Sequence, residues 1–345
     1  MRQWKVGRIT LGLFLIIMGV VLVLNSITSI PIDRILSFGW PVLLIVLGIE
    51  ILVHQLLRKN NDWSFDVFSI FLIFIAGVSM LVIFTVQSVG VIPMIKESLL
   101  AQQYSIDINE SKVVNDTIRE VEIDIDNASI ELFGTANNQL QISGEIHASY
   151  ESVESAEKYV EEAFKIKEVG NKIVITMEKS NNRPAWIPGN EATLAIEIPK
   201  QLQATINVKN GKVIAKDLAQ GVNIDGKNLA IELAEITGAV KIKNTNGNIE
   251  MRNIEGYIDT ILTNGNINVS SVTIIDDCKL ETVNGNITIE IADNNHLNIV
   301  ASTTNGRVIQ DIANTEDKDN NFNHVIGDGK HRVELKSVNG NIRLD

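Results

Sequence analysis

The feature that most limits how this chain can fold is a short phrase repeated along its C-terminal half. Six asparagines, Asn210, Asn246, Asn264, Asn284, Asn305 and Asn339, are each followed by a glycine: Gly211, Gly247, Gly265, Gly285, Gly306 and Gly340. With the asparagine as position zero, an early copy falls at Asn127 and a degenerate one is centred on Gly226, so successive intervals from 210 are 16, 20, 18, 20, 21 and 34 residues. A period near 20 marks a stacked repeat.

The flanking residues decide what kind of stack. Six residues before zero stand Val121, Ala204, Val240, Ile258, Cys278, Ile299 and Val333, with Gln220 the exception in the degenerate copy. Three after stand Ile130, Val213, Leu229, Ile249, Ile267, Ile287, Val308 and Ile342. Five after, only Gln310 interrupts an apolar series. Each unit reads as strand, Asn-Gly corner, strand, with the same positions facing inward. Independent hairpins also use Asn-Gly turns, but they give no reason for fixed spacing over consecutive units. The pattern predicts a parallel β-helix, a β-solenoid whose coils bury their faces on one another. The 34-residue step reads as an insertion, 314–330, looped out of one coil.

Ahead of the repeats, VEIDIDNASIEL (121–132) alternates as a half-buried strand does. The stretch ESVESAEKYVEEAFKIK (151–167) places Val153, Ala156, Val160 and Phe164 on one face, which predicts one amphipathic helix lying over the sheet. Two further strands are expected at 171–178 and 192–199, flanking a loop with Pro184, Trp186 and Pro188.

Residues 1–90 are of another kind. Uncharged or nearly uncharged apolar runs occupy about 9–26, 35–57 and 67–90. A bilayer core needs about 20 residues of helix, so each run is expected to span. Trp4, Trp40 and Trp63 fall near the ends of these runs, where amphipathic rings are favoured. Arg2, Lys5 and Arg8 precede the first run and Arg58 and Lys59 follow the second, whereas the loop between holds only Arg34 beside Asp33. That bias predicts a cytoplasmic N-terminus and an extracytoplasmic C-terminal domain. The expected organisation is a three-helix transmembrane region (1–90), a juxtamembrane stalk (91–116) and a β-solenoid domain (117–345) in a membrane-anchored, mainly β protein.

Within the second span Glu50 and His54 sit four apart on one helical face. An ionisable group in a membrane is a candidate relay or partner contact. Reach toward headgroups near Arg58 is the plainer account of the pair.

The remaining chemistry is sparse. The chain carries a net charge of −12; residues 1–100 hold seven Lys/Arg against five Asp/Glu, +2, so the rest carries −14. That excess disfavours nucleic acid as a partner. The lone Cys278 rules out an intrachain disulfide and falls at an inward position, as a small buried hydrophobe would. His54, His147, His296, His324 and His331 are scattered, with no metal-ligand spacing, and no nucleophile or phosphate-binding motif appears. No cofactor or metal is expected. TEDKDNN (315–321) is rich in oxygen ligands but lacks a calcium-loop register, so it reads as an acidic loop. Asn127-Ala-Ser and Asn286-Ile-Thr are glycosylation sequons that coincide with the repeat. The repeated asparagines admit two readings: corner residues stacked in an amide ladder, or a row of amides that binds an extended polymer. The first also accounts for the glycines.

The repeats resemble the bacterial putative-adhesin domain of unknown function, a β-solenoid family marked by NGN-I-x-[LVI] units, over roughly 117–345. Lys212 and Arg307 depart from the third position of the motif and Gly226-Lys227 from the first two. The runs GLFLIIMGVVLVL and FGWPVLLIVLGIEIL resemble the membrane region of Lia-type envelope-stress proteins of Gram-positive bacteria, over about 90 residues. The resemblance implies a non-enzymatic, membrane-anchored envelope protein that modulates a cell-wall-stress sensor kinase through its helices. Its partners would be membrane lipid and either a membrane sensor protein or an envelope polymer. A surface binding module for glycan is the alternative, and a polysaccharide-active enzyme the third reading.

Overall fold

The computed structural model describes residues 6–27, 32–57, 67–88, 102–178, 190–291, 296–310 and 320–345. The chain divides into two compact units, Met1–Leu99 and Leu100–Asp345. Several sequence expectations fall outside the described residues: Arg2, Trp4, Lys5, Arg58, Lys59, Trp63, the Pro184–Trp186–Pro188 loop and most of TEDKDNN.

Among the described residues the first unit holds three helices: α1 (Arg8–Ile27), α2 (Ile32–Leu57, with Pro41 inside it) and α3 (Val67–Ser88). Counting described residues alone, no helix is long and apolar enough to cross a membrane. Read as sequence, the full ranges contain 20, 26 and 22 residues, and these ranges reach the bilayer length of about 20 residues. Many of their apolar side chains are exposed, among them Ile16, Leu52 and Phe68.

Among the described residues the second unit is one continuous sheet of twenty strands wound around an aliphatic core. Its central coils run in chain order. The first is β2 (Glu120–Asp124) with β3 (Asn127–Thr135). Above it lie β8 (Gln203–Leu218) and β9 (Val222–Thr237), each a full coil bent at its corner. Next come β10 (Val240–Asn246) with β11 (Ile249–Glu255), β12 (Ile258–Asn264) with β13 (Ile267–Val272), and β14 (Cys278–Asn284) with β15 (Ile287–Ile291). All are parallel and, apart from a shift between Val269 and Val272 of β13, in register, so Val240 lies between Val222 and Ile258, and Ile267 between Ile249 and Ile287. At these two positions like sits on like, and aliphatic side chains fill the core from coil to coil.

Register moves the degenerate repeat by two residues. Asn228, not Gly226, pairs with Asn210 and Asn246, so the central intervals are 18, 18 and 18. The inward residue of that coil is then Val222, and the polar exception at Gln220 disappears. Two residues have exchanged roles. Gly226 occupies an inward position, and Leu229 the corner position that glycine holds elsewhere; a Cβ on Gly226 would strike the Leu229 side chain. The corner keeps its volume although its letters differ.

The last two coils are stacked out of chain order. β14 pairs with β19 (His331–Asn339), and only beyond that lies β16 (Leu297–Asn305); likewise β15 pairs with β20 (Ile342–Leu344), then β17 (Val308–Gln310). Residues 320–330 are therefore not a bulge within a coil. They include β18 (Asn321–Ile326), antiparallel on the outer edge of β16, with Phe322 and Ile326 packed against the core.

The other end is closed by antiparallel strands and a helix. β6 (Lys172–Met177) and β7 (Glu191–Pro199) continue the stack below β2 and β3. β4 (Gln139–Tyr150) runs antiparallel to β7, and β1 (Gln102–Val113) antiparallel to β4. Residues 102–113, expected in a stalk, thus belong to the sheet. α4 (Val153–Ala163) begins at the N-cap Ser152, whose hydroxyl accepts from Ser155 N–H, and buries Ala156, Val160 and Ala163. It ends earlier than its periodicity predicts, because Phe164–Val169 pairs antiparallel with β6 as β5. The turn between them is Gly170-Asn171, with Gly170 at φ 65°.

Candidate functional site

Two places hold the residues that the sequence singled out. The first is in the helical unit. Glu50, on α2, is 6% exposed, and its carboxylate receives the start of α1. Oε1 accepts from Gly7 N–H at 3.1 Å and Ile9 N–H at 3.2 Å; Oε2 accepts from Thr10 N–H at 3.0 Å and the Thr10 hydroxyl at 2.6 Å. The first N–H groups of a helix have no intrahelical acceptor and carry its positive end, so a buried carboxylate there satisfies both partners. Gly7 makes the approach possible. Its φ is 101°, and a Cβ would lie 3.0 Å from Ile70 Cγ1 of α3. Val6, Thr10, Ser69 and Ile73 are buried around this node. His54 follows one turn along α2, with its side chain outside the described residues.

The second place is the Asn-Gly corner. Asn127, Asn210, Asn228, Asn246, Asn264, Asn284, Asn339 and Asn305 form one exposed column in stack order. Each amide Nδ2 donates to Oδ1 of the residue before it, at 2.6–2.8 Å. Two rows brace this column, one at the surface and one buried. Asn248, Asn266, Asn286 and Asn341 accept at Oδ1 from the backbone N–H of the next coil, at Asn266, Asn286, Asn341 and Arg307. Buried Thr282, Ser337 and Thr303 donate their hydroxyls to the carbonyls of Gly265, Gly285 and Gly340 at 3.2, 2.9 and 2.8 Å, and Asn244 reaches the carbonyl of Leu229 at 2.9 Å. The glycines permit the stacking. A Cβ on Gly285 would fall inside the carbonyl oxygen of Gly265, and one on Gly340 inside that of Gly285. Every polar letter of the motif thus has a partner in a neighbouring coil, which makes the corner a structural seam.

Sequence reasoning missed a second column. Asp217, Glu235, Asn253 and Ser271, at intervals of 18, hold φ between 52° and 59°. A left-handed residue reverses the strand's phase, so Leu218, Ile236, Ile254 and Val272 point inward after it. Asp and Asn tolerate that conformation better than most residues, which was the available signal at Asp217 and Asn253.

Elsewhere the outer faces mix charge. Lys172 bridges Glu120 and Glu122 at 3.0 and 3.3 Å, Lys212 meets Glu232 at 2.8 Å, and Lys279 meets Glu281 at 3.2 Å. Among the described residues no group of His, Cys, Asp and Glu could hold a metal ion. Cys278 is buried, and its burial, aided by Asp277, pushes the thiol up to about 12.

Comparison with known proteins follows this division. Residues 215–345 match the family described as Toastrack DUF4097. Residues 10–95 match the LiaF transmembrane domain. No curated protein matches the chain. Among solved structures, one described as a "putative cell adhesion protein" from Clostridium sporogenes ATCC 15579 is 12% identical over 69% of this chain and 99% of its own, with a TM-score of 0.31. A "putative adhesin" from Bacteroides fragilis NCTC 9343 is 11% identical over 70% and 97%, with a TM-score of 0.28. The chain therefore associates with membranes through a segment like the LiaF transmembrane domain and carries after it a β-rich segment like the Toastrack domain.

Proposed function

We propose that this is a non-enzymatic, multi-pass cell-envelope protein that scaffolds or modulates envelope-stress signalling. In this reading α1–α3 span the membrane, the N-terminus is cytoplasmic, and the β-stack stands outside. The Glu50 contact is the observation that carries it. It joins the start of α1 to the C-terminal half of α2. This supports a topology in which Arg2, Lys5 and Arg8 share one side with Arg58 and Lys59, the side that basic residues favour. The polar node then lies between helices near the cytoplasmic face, where a membrane sensor protein could read how the helices are packed. The two family resemblances support the envelope setting.

Topology and partnership can be tested on the full chain in its own membrane. Single cysteines at Ser26 and at exposed Lys227 should react with an impermeant maleimide from outside, and one at Lys59 only after permeabilisation. Photo-crosslinkers on α1–α3 should capture a membrane protein, and loss of the chain should alter the response to wall-active antibiotics. No captured protein and an unaltered response would remove the regulatory reading. The exposed amide column supports a second reading, a binding surface for an extended envelope glycan. Retention of the protein on a glycan array favours that reading; a clean negative sets it aside.

A further inference from the structure

The stack treats its Asn-Gly pairs unequally. At four corners the glycine N–H is engaged: Gly247 donates to the carbonyl of Asn264 at 3.0 Å, Gly265 to Asn284 at 2.9 Å, Gly285 to Asn339 at 3.0 Å and Gly340 to Asn305 at 3.2 Å. Gly211 lies within β8, paired to β3 on one side and β9 on the other. Gly306 is different, because its coil ends the column. Among the described residues nothing accepts from its N–H. The asparagine before it is also held on one side only. Asn305 Nδ2 donates to Asn339 at 2.8 Å, but no described amide donates to its own Oδ1, whereas Asn246, Asn264, Asn284 and Asn339 are gripped at both ends.

We propose that Asn305 is a modification site, where the folded protein deamidates spontaneously through the backbone nitrogen of Gly306. Water or hydroxide takes the Gly306 amide proton, and the nitrogen attacks Cγ of Asn305. The adduct collapses with loss of the side-chain nitrogen, which takes up a proton and leaves as ammonia. The product is a five-membered succinimide. Water then adds to either of its carbonyls and opens the ring to aspartate or isoaspartate. One water is consumed, one ammonia is released, and no electrons are transferred. At the interior corners the same attack must first break the glycine's hydrogen bond and free the asparagine from two neighbours. That opening involves several coils together, whereas the end coil opens alone.

The product acts on the stack in a defined way. A carboxylate at Asn305 can no longer donate to Asn339 Oδ1, and isoaspartate adds a backbone carbon ahead of β17, displacing Val308 from Ile342. The terminal coil would loosen while the coils beneath it keep their register, which makes this corner an irreversible timer of the protein's age.

The test is peptide mapping by mass spectrometry of the full-length protein, held in detergent micelles at mildly alkaline pH and sampled over days. Each of the six Asn-Gly pairs is followed as a gain of about one dalton, the mass of the amide-to-acid exchange. With one backbone hydrogen bond fewer to break, Asn305 should convert at least about tenfold faster than Asn246, Asn264, Asn284 or Asn339. In concentrated urea the six rates should draw together. Equal rates in the folded protein, or a lead for Asn305 that persists unchanged in urea, would overturn the assignment.

Discussion

Thr260 is fully buried on β12, between Ile242 of one coil and Leu280 of the next, and among the described residues its hydroxyl has no hydrogen-bond partner. Replacing it by the near-isosteric valine removes an unpaired polar atom without opening a cavity, so Thr260→Val should stabilise the domain by about 1 kcal/mol. In a domain of this size that is an upward shift in Tm of about 2–4 °C, readable by calorimetry. Cys278 occupies the inward row two residues before that of Thr260, between Ile258 and Val333. Its thiol is raised from 9.0 to about 12 by burial, then by Asp277. The folded state therefore binds the proton more tightly than the unfolded state. The stability that follows is complete below pH 9 and is lost as pH rises toward about 12. The native protein should resist a thiol reagent at pH 8 and react at once when unfolded; equal rates in the two states would place Cys278 outside the core. Cys278 could be assigned to the core from spacing alone. The αL column could not, because Asp217, Glu235, Asn253 and Ser271 share a backbone angle and no single letter.

Among the elements, α1 depends most on a partner. It contributes an almost wholly apolar sequence and no acidic residue in its first turn. Its N-terminal charge is met from α2 instead, by Glu50. Glu50→Ala should leave the buried N–H groups of Gly7 and Thr10, the part-buried N–H of Ile9 and the Thr10 hydroxyl without this acceptor, at a cost of about 1–3 kcal/mol. Amide hydrogen exchange in micelles would register this as faster exchange at Ile9 and Thr10, with α3 unaltered. Unchanged exchange would mean that the clamp contributes nothing to helix packing. The face carrying Glu50 and His54 was legible in the sequence, but its target was not, because the contact spans 40 residues or more and no local pattern announces it. α4 shows the opposite limit. Phe164 continues its apolar stripe, yet the strand signal of Phe164–Val169 and the turn at Gly170 give that stretch to the sheet. The degenerate repeat misled for a compensating reason: Leu229 and Ile231, read two positions out of phase, are both buried.

At the scale of the whole molecule, coil order is set by what each coil can tolerate at an end. The last coil in the chain brings Leu335, Ile342 and Leu344 to inward positions, while the one before it brings Ala301, Val308 and Gln310. Placing the more apolar coil inside buries more hydrocarbon, and it leaves the coil with the glutamine at the end, under β18. Sequence spacing could not show this exchange, because every coil carries the same motif and any order satisfies it. The order can be measured by paired cysteines in a Cys278→Ser background. Thr288 and Arg343 are neighbours in adjacent coils, whereas Ile309 lies one coil further, beyond Arg343. Adjacent strands lie about 4.8 Å apart, within disulfide reach, and alternate strands about twice that, outside it. Thr288→Cys with Arg343→Cys should therefore oxidise to a disulfide, and Thr288→Cys with Ile309→Cys should not. The reverse result would restore chain order to the stack, putting Gln310 inside it and the C-terminal coil at its end.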